Sequence, residues 1–296
     1  MSVPQRIAIT GASGLIGTAL VGHLKAEGHT VQRLVRRTTV GSDEIQWDPQ
    51  TGFVDLEPLR GVDAIIHLAG VGVGDKRWNK KYKSEILNSR LLGTTAIANA
   101  VAEVKPQVFI SASAIGWYGE SGNRAVVETD RAGDDFLAAV CREWEAAADL
   151  AGDVRTVKIR TGLVLDPTGG ALGKMLPLFR LGLGGKLGNG KQWWSWITLH
   201  DQIRAIVFAL ENQISGPVNL TAPNPVTNQE FTAALARAMH RPALFPAPAI
   251  ALKIALGGFS SEVLGSKRVI PHVLQEAGFT WDYPHISEAL AQLIED

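Results

Sequence analysis

Cysteine is nearly absent from this chain of 296 residues: Cys141 stands alone. A single thiol excludes an internal disulfide framework and fits a reducing compartment. The seven histidines are scattered, with neither CxxC nor HExxH spacing, so no metal site is expected. No charge of one sign prevails, since Lys plus Arg and Asp plus Glu both number 29. That balance gives no overall field for nucleic acid or for anionic lipid, and neither is an expected partner. Apolar runs long enough to span a bilayer are missing. The opening "MSVPQRIAIT" enters a strand pattern directly, without the basic and apolar regions of a secretory signal. A cytoplasmic protein is therefore expected. What is present is an ordinary globular balance, 46% hydrophobic and 20% charged. Its length suits one large α/β unit with a smaller lobe.

Strand-like and helix-like patterns alternate over the first 165 residues. "RIAIT" (Arg6–Thr10), "TVQRLVR" (Thr30–Arg36), "AIIHLAG" (Ala64–Gly70), "QVFISAS" (Gln107–Ser113) and "RTVKIRTGLVL" (Arg155–Leu165) read as strands. Helical stretches lie between them, notably Asn79–Val104 and Phe136–Leu150. The alternation predicts a doubly wound, Rossmann-type parallel sheet covered on both faces. After Leu165 the chain turns Gly-rich, and "PVNLTA" (Pro217–Ala222) is a candidate to rejoin the sheet. Thr227 and Glu230 have capping-box spacing, and Asp201 is the expected cap of the helix before it. The division expected is a nucleotide-binding domain over 1–165 and about 200–222. A smaller substrate-binding lobe then spans 166–199 and 223–296.

The first chemical signal is "ITGASGLIG", which sets Gly11, Gly14 and Gly17 between a strand and a helix. The first allows a tight turn, the second lets a pyrophosphate approach the backbone, and the third lets helix and strand pack closely. The helix N-terminus offers free N–H groups to phosphate. The second signal follows the second strand. An NAD site has a carboxylate there for the ribose 2′-OH; this chain has Arg36 and Arg37. Guanidinium binds a 2′-phosphate that a carboxylate repels, so NADP is the expected cofactor.

"TGASGLIG", "HLAG", "SASAIGWYG" and "IRTGLVL" fall in the order seen in extended short-chain dehydrogenase/reductases. With "WDP" (Trp47–Pro49), "WEAAA" (Trp144–Ala148), "GKQWWSWI" (Gly190–Ile197) and "KRVIPHVLQEAGFTWDYP" (Lys267–Pro284), the chain resembles an atypical subgroup. That subgroup is the YfcH-like "NAD-dependent epimerase/dehydratase" family. The resemblance implies cofactor contacts from Gly11, Ser13, Gly14, Leu15 and Ile16 at the phosphates. It implies others from Arg36 and Arg37 at the 2′-phosphate, from Leu68, Ala69 and Gly70 beside the adenosine, and from Glu85, Arg90 and Val164. For Glu85 an ion pair with Lys81 is an equal alternative. A homodimer through two long helices is the habit of the family.

The family's usual proton donor is missing. Its Tyr, with a Lys one helical turn later, works at the substrate oxygen. The three tyrosines here, Tyr82, Tyr118 and Tyr283, are followed four residues on by Ile86, Gly122 and Ser287. Aligning "WEAAA" puts Leu137 at the Tyr position and Cys141 at the Lys position, while Arg90 takes the place of an Asn. Ser113 survives. The candidates left are Ser113 to orient an oxygen and Tyr118, in the loop after the strand, as an acid. Cys141 reads as a buried apolar-face residue. Trp194 and Trp196 should face one way and Trp193 the other, lining a pocket or packing the lobes together. The leading expectation is an NADP(H)-dependent oxidoreductase for a small carbonyl or alcohol. A non-catalytic NADP(H)-binding sensor or scaffold, and a sugar-nucleotide epimerase/dehydratase, are the alternatives.

Overall fold

The computed structural model describes residues 3–295. The chain first forms β1 (Arg6–Thr10), α1 (Leu15–Ala26), β2 (Thr30–Val35), β3 (Glu44–Asp48), β4 (Phe53–Val54) and β5 (Ala64–His67). Then come α2 (Lys80–Val104), β6 (Val108–Ala114), β7 (Ala125–Val126), α3 (Phe136–Ala148), β8 (Arg155–Thr161) and β9 (Leu163–Asp166). After these lie α4 (Gly170–Arg180), β10 (Trp193–Trp194), β11 (Trp196–Thr198), α5 (Leu199–Glu211) and β12 (Gly216–Leu220). The last part holds β13 (Val226–Thr227), α6 (Asn228–Ala238), α7 (Ala249–Leu256), α8 (Ser260–Leu264), β14 (Arg268–Val269), α9 (His272–Glu276) and α10 (Ile286–Glu295).

The main sheet has the order β12-β8-β6-β5-β1-β2-β3-β4. Its pairings are parallel except β3 with the short edge strand β4. The chain builds outward from β1 in one direction through β2 and β3, and in the other through β5, β6, β8 and β12. The order reverses between β1 and β5, which is where an open α/β sheet leaves a crevice at its carboxyl ends.

Alternation within the strands feeds both faces. Ile7 and Ile9 of β1 join a core with Leu20, Leu24 and Ile206, while Ala8 faces a second core with Ile97, Val101 and Phe109. Burial on both faces is why these strands read as continuous apolar runs. Helix starts follow side-chain chemistry. Asn79 accepts from the N–H of Tyr82 at 2.8 Å, and Asp135 from that of Ala138 at 2.8 Å. Thr227 and Glu230 form the expected capping box. The cap of α5 differs from the expectation: Thr198 accepts the N–H of Asp201. The Asp201 carboxylate instead accepts the N–H groups of Asp282 and Tyr283 and pairs with Arg204, tying the tail to α5.

"RTVKIRTGLVL" is not one strand. It breaks at Gly162, where a Cβ would lie 2.8 Å from the carbonyl of Ser195. β8 ends in the main sheet, and β9 turns away to pair with β11. That departure carries the chain to a third core, where Leu165, Leu172, Phe179, Trp196, Phe231 and Leu290 meet. Trp194 packs on Phe231 in the same cluster, whereas Trp193 lies under Arg268. The alternation expected for these tryptophans is present, with Trp196 as core packing. Leu274 and Phe279, from the segment assigned to the smaller lobe, join the first core against β12.

Candidate functional site

Gly11 sits after β1 at φ +69°, a conformation that favours glycine. A Cβ there would come within 2.8 Å of the Leu68 carbonyl carbon, so the turn after β1 and the turn after β5 touch. Thr10 fixes this contact. Its hydroxyl accepts the N–H groups of Leu68 at 3.1 Å and Ala69 at 3.3 Å, and shares a hydrogen bond with His67 Nδ1 at 2.7 Å. Burial then holds His67 neutral, lowered to about 3. Gly17 is equally tight, since its Cβ would fall 2.1 Å from the Gly11 carbonyl oxygen. Gly14 is different: only that same oxygen, at 3.4 Å, lies near its Cβ position, and Ser13 and Gly14 are exposed.

Helix α1 starts at Gly14 with no side chain capping it and no acidic residue in its first turn. The first N–H groups of a helix lack intrahelical partners. Those of Leu15, Ile16 and Gly17 therefore offer an uncapped anion site beside an open glycine. The Leu15 side chain packs on Gly169 and Gly170 at the start of α4, while Ile16 and Val164 pack against the first core. A dinucleotide pyrophosphate fits this cradle.

The basic pair after β2 divides. Arg37 donates to both oxygens of Glu44, at 2.8 and 2.5 Å, and Arg33 reaches the same carboxylate at 3.1 Å. The Arg37 guanidinium and the N–H of Val40 hold the Glu44 carboxyl down at about 2. Arg36 is exposed and makes no ion pair among the described residues. Glu85 pairs with Lys76 at 3.4 Å rather than with Lys81.

Beside the turn after β5, Arg90 donates to the carbonyls of Val71 at 2.9 Å and Ile86 at 3.1 Å. It also stacks on Trp144 at 4.7 Å and borders Gly70. Leu137 and Cys141 pack against Gly116, both buried. Burial pushes the Cys141 thiol up to about 12. The positions that resemblance assigns to Tyr and Lys are thus filled by an aliphatic side chain and an inert thiol.

Ser113 and Tyr118 are brought together, but inside the protein. The Ser113 hydroxyl donates to Glu145 Oε1 at 2.6 Å. Arg160 grips both oxygens of Glu145 and donates to the Tyr118 hydroxyl at 3.1 Å. Tyr118 in turn donates to Asn219 Oδ1 at 2.7 Å, and the N–H of Asn219 donates to Glu128 at 3.0 Å. Arg160 also lies on the Trp117 ring at 3.9 Å. Every side chain in this network is buried except that of Trp117, which is half-buried. Burial pushes the Tyr118 phenol up to about 12, despite Arg160 beside it. In place of the acid expected at this position stands a core hydroxyl already committed to Asn219. Proton transfer is most efficient from a group whose pKa lies near the working pH.

Glu128, Glu145, Arg160 and Asn219 were not singled out from the sequence. Signals for two of them existed. Glu145 continues the Leu137–Cys141 face of α3, and Arg160 follows Ile159 near the end of a strand read as buried, where a charge needs a partner.

Residues 7–221 match the model of the NAD dependent epimerase/dehydratase family, and residues 247–293 a domain of unknown function, DUF1731. The chain belongs to the NAD-dependent epimerase/dehydratase family. Among its relatives, the epimerase family protein ML0860 of Mycobacterium leprae is 45% identical over 290 residues, covering 96% of this chain and 94% of that one. The structure of human epimerase family protein SDR39U1 (isoform 2) with NADPH superposes with a TM-score of 0.91. It is 34% identical, over 98% of this chain and 99% of the human one. A nucleoside-diphosphate sugar epimerase from Corynebacterium glutamicum has a TM-score of 0.81 at 37% identity, over 99% of this chain but 58% of its own. Epimerase/dehydratase-family membership accounts for the nucleotide cradle. It leaves the substrate unassigned.

Proposed function

We propose that this chain binds NADP(H) across β1 and β5 and exchanges hydride between that cofactor and a small carbonyl or alcohol. The observation that carries the cofactor choice is the split between two adjacent arginines. Arg37 is spent on Glu44, and Arg33 holds Glu44 and the neighbouring Asp43, so both carboxylates beside β2 are neutralised. Arg36 is left exposed and unpaired to take a 2′-phosphate. The human relative bound to NADPH supports the same choice. When bound, the nicotinamide supplies or accepts the hydride. The N–H groups of Leu15, Ile16 and Gly17 hold the pyrophosphate, the Leu68–Gly70 turn borders the adenosine, and Val164 borders the nicotinamide. Arg90, the cation nearest Gly70, polarises a substrate oxygen or binds an anionic substrate. Ser113 and Tyr118 keep the floor of the crevice in place through Arg160 and Glu145.

A second reading, NADP(H) binding without turnover, is favoured by one observation: Leu137 and Cys141 stand where the proton-transfer pair belongs. Sugar-nucleotide epimerisation has less support, because it calls on the same missing Tyr.

The test is tryptophan fluorescence titrated with NADPH and then NADH, on the wild type and Arg36→Ala. A lost charge-assisted contact of about 1.5–3 kcal/mol predicts a roughly tenfold to hundredfold weaker NADPH affinity. NADH binding should not change. Equal affinity of the wild type for both nucleotides would remove the role of Arg36. NADPH that binds tightly yet is never oxidised by a broad panel of aldehydes and ketones would leave the second reading.

A further inference from the structure

The whole-chain charge balance hides a local segregation. No Asp or Glu occurs between Asp166 and Asp201, nor between Glu230 and Glu262. These two segments are brought together in space. The N–H of Ala247 donates to the Lys186 carbonyl at 2.9 Å, that of Gly188 to the Ala247 carbonyl at 2.8 Å, and Gly185 lies against the Phe245 carbonyl. Helix α7 starts two residues after Ala247.

At this junction large apolar side chains stand in solvent. Leu181 is 72% exposed, Leu183 52%, Leu244 73%, Phe245 59%, Ile250 74% and Ile254 71%. Helix α7, "AIALKIAL", has no buried residue at all. An apolar helix that only half-buries Ala249, Leu252 and Leu256 is unusual, since helical stability in proteins comes mostly from packing. Clustered exposed apolar residues mark an interaction surface. The charged side chains that these two segments contribute are basic. Arg180, Arg241 and Lys253 are exposed and, with the half-buried Lys186, make no ion pair among the described residues. Arg237, His240 and Arg241 line a shallow hollow beside Leu244.

Charge decides between the possible occupants. A two-fold contact with a second copy would set Arg180, Arg241 and Lys253 against themselves, with no carboxylate in either segment to offset them. An apolar layer under anionic groups satisfies both features at once. Interfacial segments of this kind bury Leu, Ile and Phe at the acyl boundary while Lys and Arg meet the headgroups. We infer that the face formed by α7 and the loops around Leu181–Lys186 and Arg241–Phe245 docks on an anionic lipid bilayer. The balanced total charge had argued against a membrane partner; segregation on one face reverses that expectation. The inference does not depend on the NADP(H) reading.

The experiment is co-sedimentation of the full chain with vesicles of phosphatidylcholine, with and without phosphatidylglycerol. Binding is expected only to the vesicles with phosphatidylglycerol, weakening as salt rises. Ile250→Glu/Ile254→Glu should lower it by about tenfold or more, and Arg241→Gln/Lys253→Gln by roughly fivefold per charge removed. All four positions are exposed, so both variants should keep the wild-type melting temperature and NADPH titration. Absence of sedimentation with phosphatidylglycerol vesicles overturns the inference, as does unchanged binding by the Ile250/Ile254 variant. A wild-type dimer by light scattering that this variant breaks assigns the face to a second copy and overturns it too.

Discussion

Arg160 of β8 clasps Glu145 of α3 through two hydrogen bonds, Nε to Oε1 at 2.8 Å and Nη2 to Oε2 at 2.9 Å. Their side chains are only 2% and 7% exposed. The pair links the strand next to β6 with the helix that packs over it, and it holds Ser113 and Tyr118. Removing one partner strands the other charge in the core. Arg160→Met should therefore cost about 3–5 kcal/mol of stability, read from urea unfolding. The double variant Arg160→Met/Glu145→Leu should recover a good part of that loss. A single variant within about 0.5 kcal/mol of wild type would show that the pair is not the fastening described.

The glycine loop makes a paired prediction. Gly17→Ala forces a Cβ into the Gly11 carbonyl, so it should lower the melting temperature and abolish nucleotide binding together. Gly14→Ala meets only ordinary contact with that oxygen, so stability should stay close to wild type. Its methyl would stand where the pyrophosphate approaches, so NADPH affinity should still fall, by about tenfold or more. Unchanged NADPH affinity in Gly14→Ala would place the phosphates elsewhere.

His67 should make the fold acid-sensitive. Burial lowers it to about 3, whereas an unfolded histidine titrates near 6.5. Between those values the unfolded chain takes a proton that the folded chain refuses. The stability contributed by neutral His67 is therefore complete above about pH 6.5 and lost as pH falls toward 3, at up to about 1.4 kcal/mol per unit. Urea unfolding at pH 7, 6 and 5 should show a shallower decline in His67→Asn, which keeps a hydrogen-bond partner for Thr10 without titrating. Parallel declines would rule out His67 as the source.

Cys141 should be silent. It is buried, its thiol is pushed up to about 12, and it donates weakly to the Ala114 carbonyl at 3.6 Å. At pH 8 the native protein should leave a thiol-reactive dye unconsumed and release one equivalent of reaction only on denaturation. Prompt labelling of the native protein would mean that the space beside Gly116 opens to solvent.

The β1–α1 turn was legible because its chemistry is local: three glycines, a strand before and a helix after. The capping box at Thr227 and Glu230 was legible for the same reason. The cap of α5 was misplaced because Thr198 and Asp201 are both good capping residues. Which of them capped depended on a tail some eighty residues later, whose Asp282 and Tyr283 N–H groups claimed the Asp201 carboxylate. The break at Gly162 was hidden because the apolar pattern runs straight across it. The carbonyl of Ser195 and the methyl of Thr221, both brought in from distant parts of the chain, require a glycine there.

By itself, then, the sequence determined the alternating strand–helix order, the nucleotide cradle and the lack of a Tyr–Lys pair. Each depends on residues close together in the chain or on composition. Tertiary structure decided which arginine stays free, that Ser113 and Tyr118 are bound within a buried charge network, and that basic and apolar residues gather on one face. The first depends on Glu44, only seven residues from Arg37 but delivered by the next strand of the sheet. The others depend on partners farther along the chain, brought together only when parallel strands and their crossover helices pack.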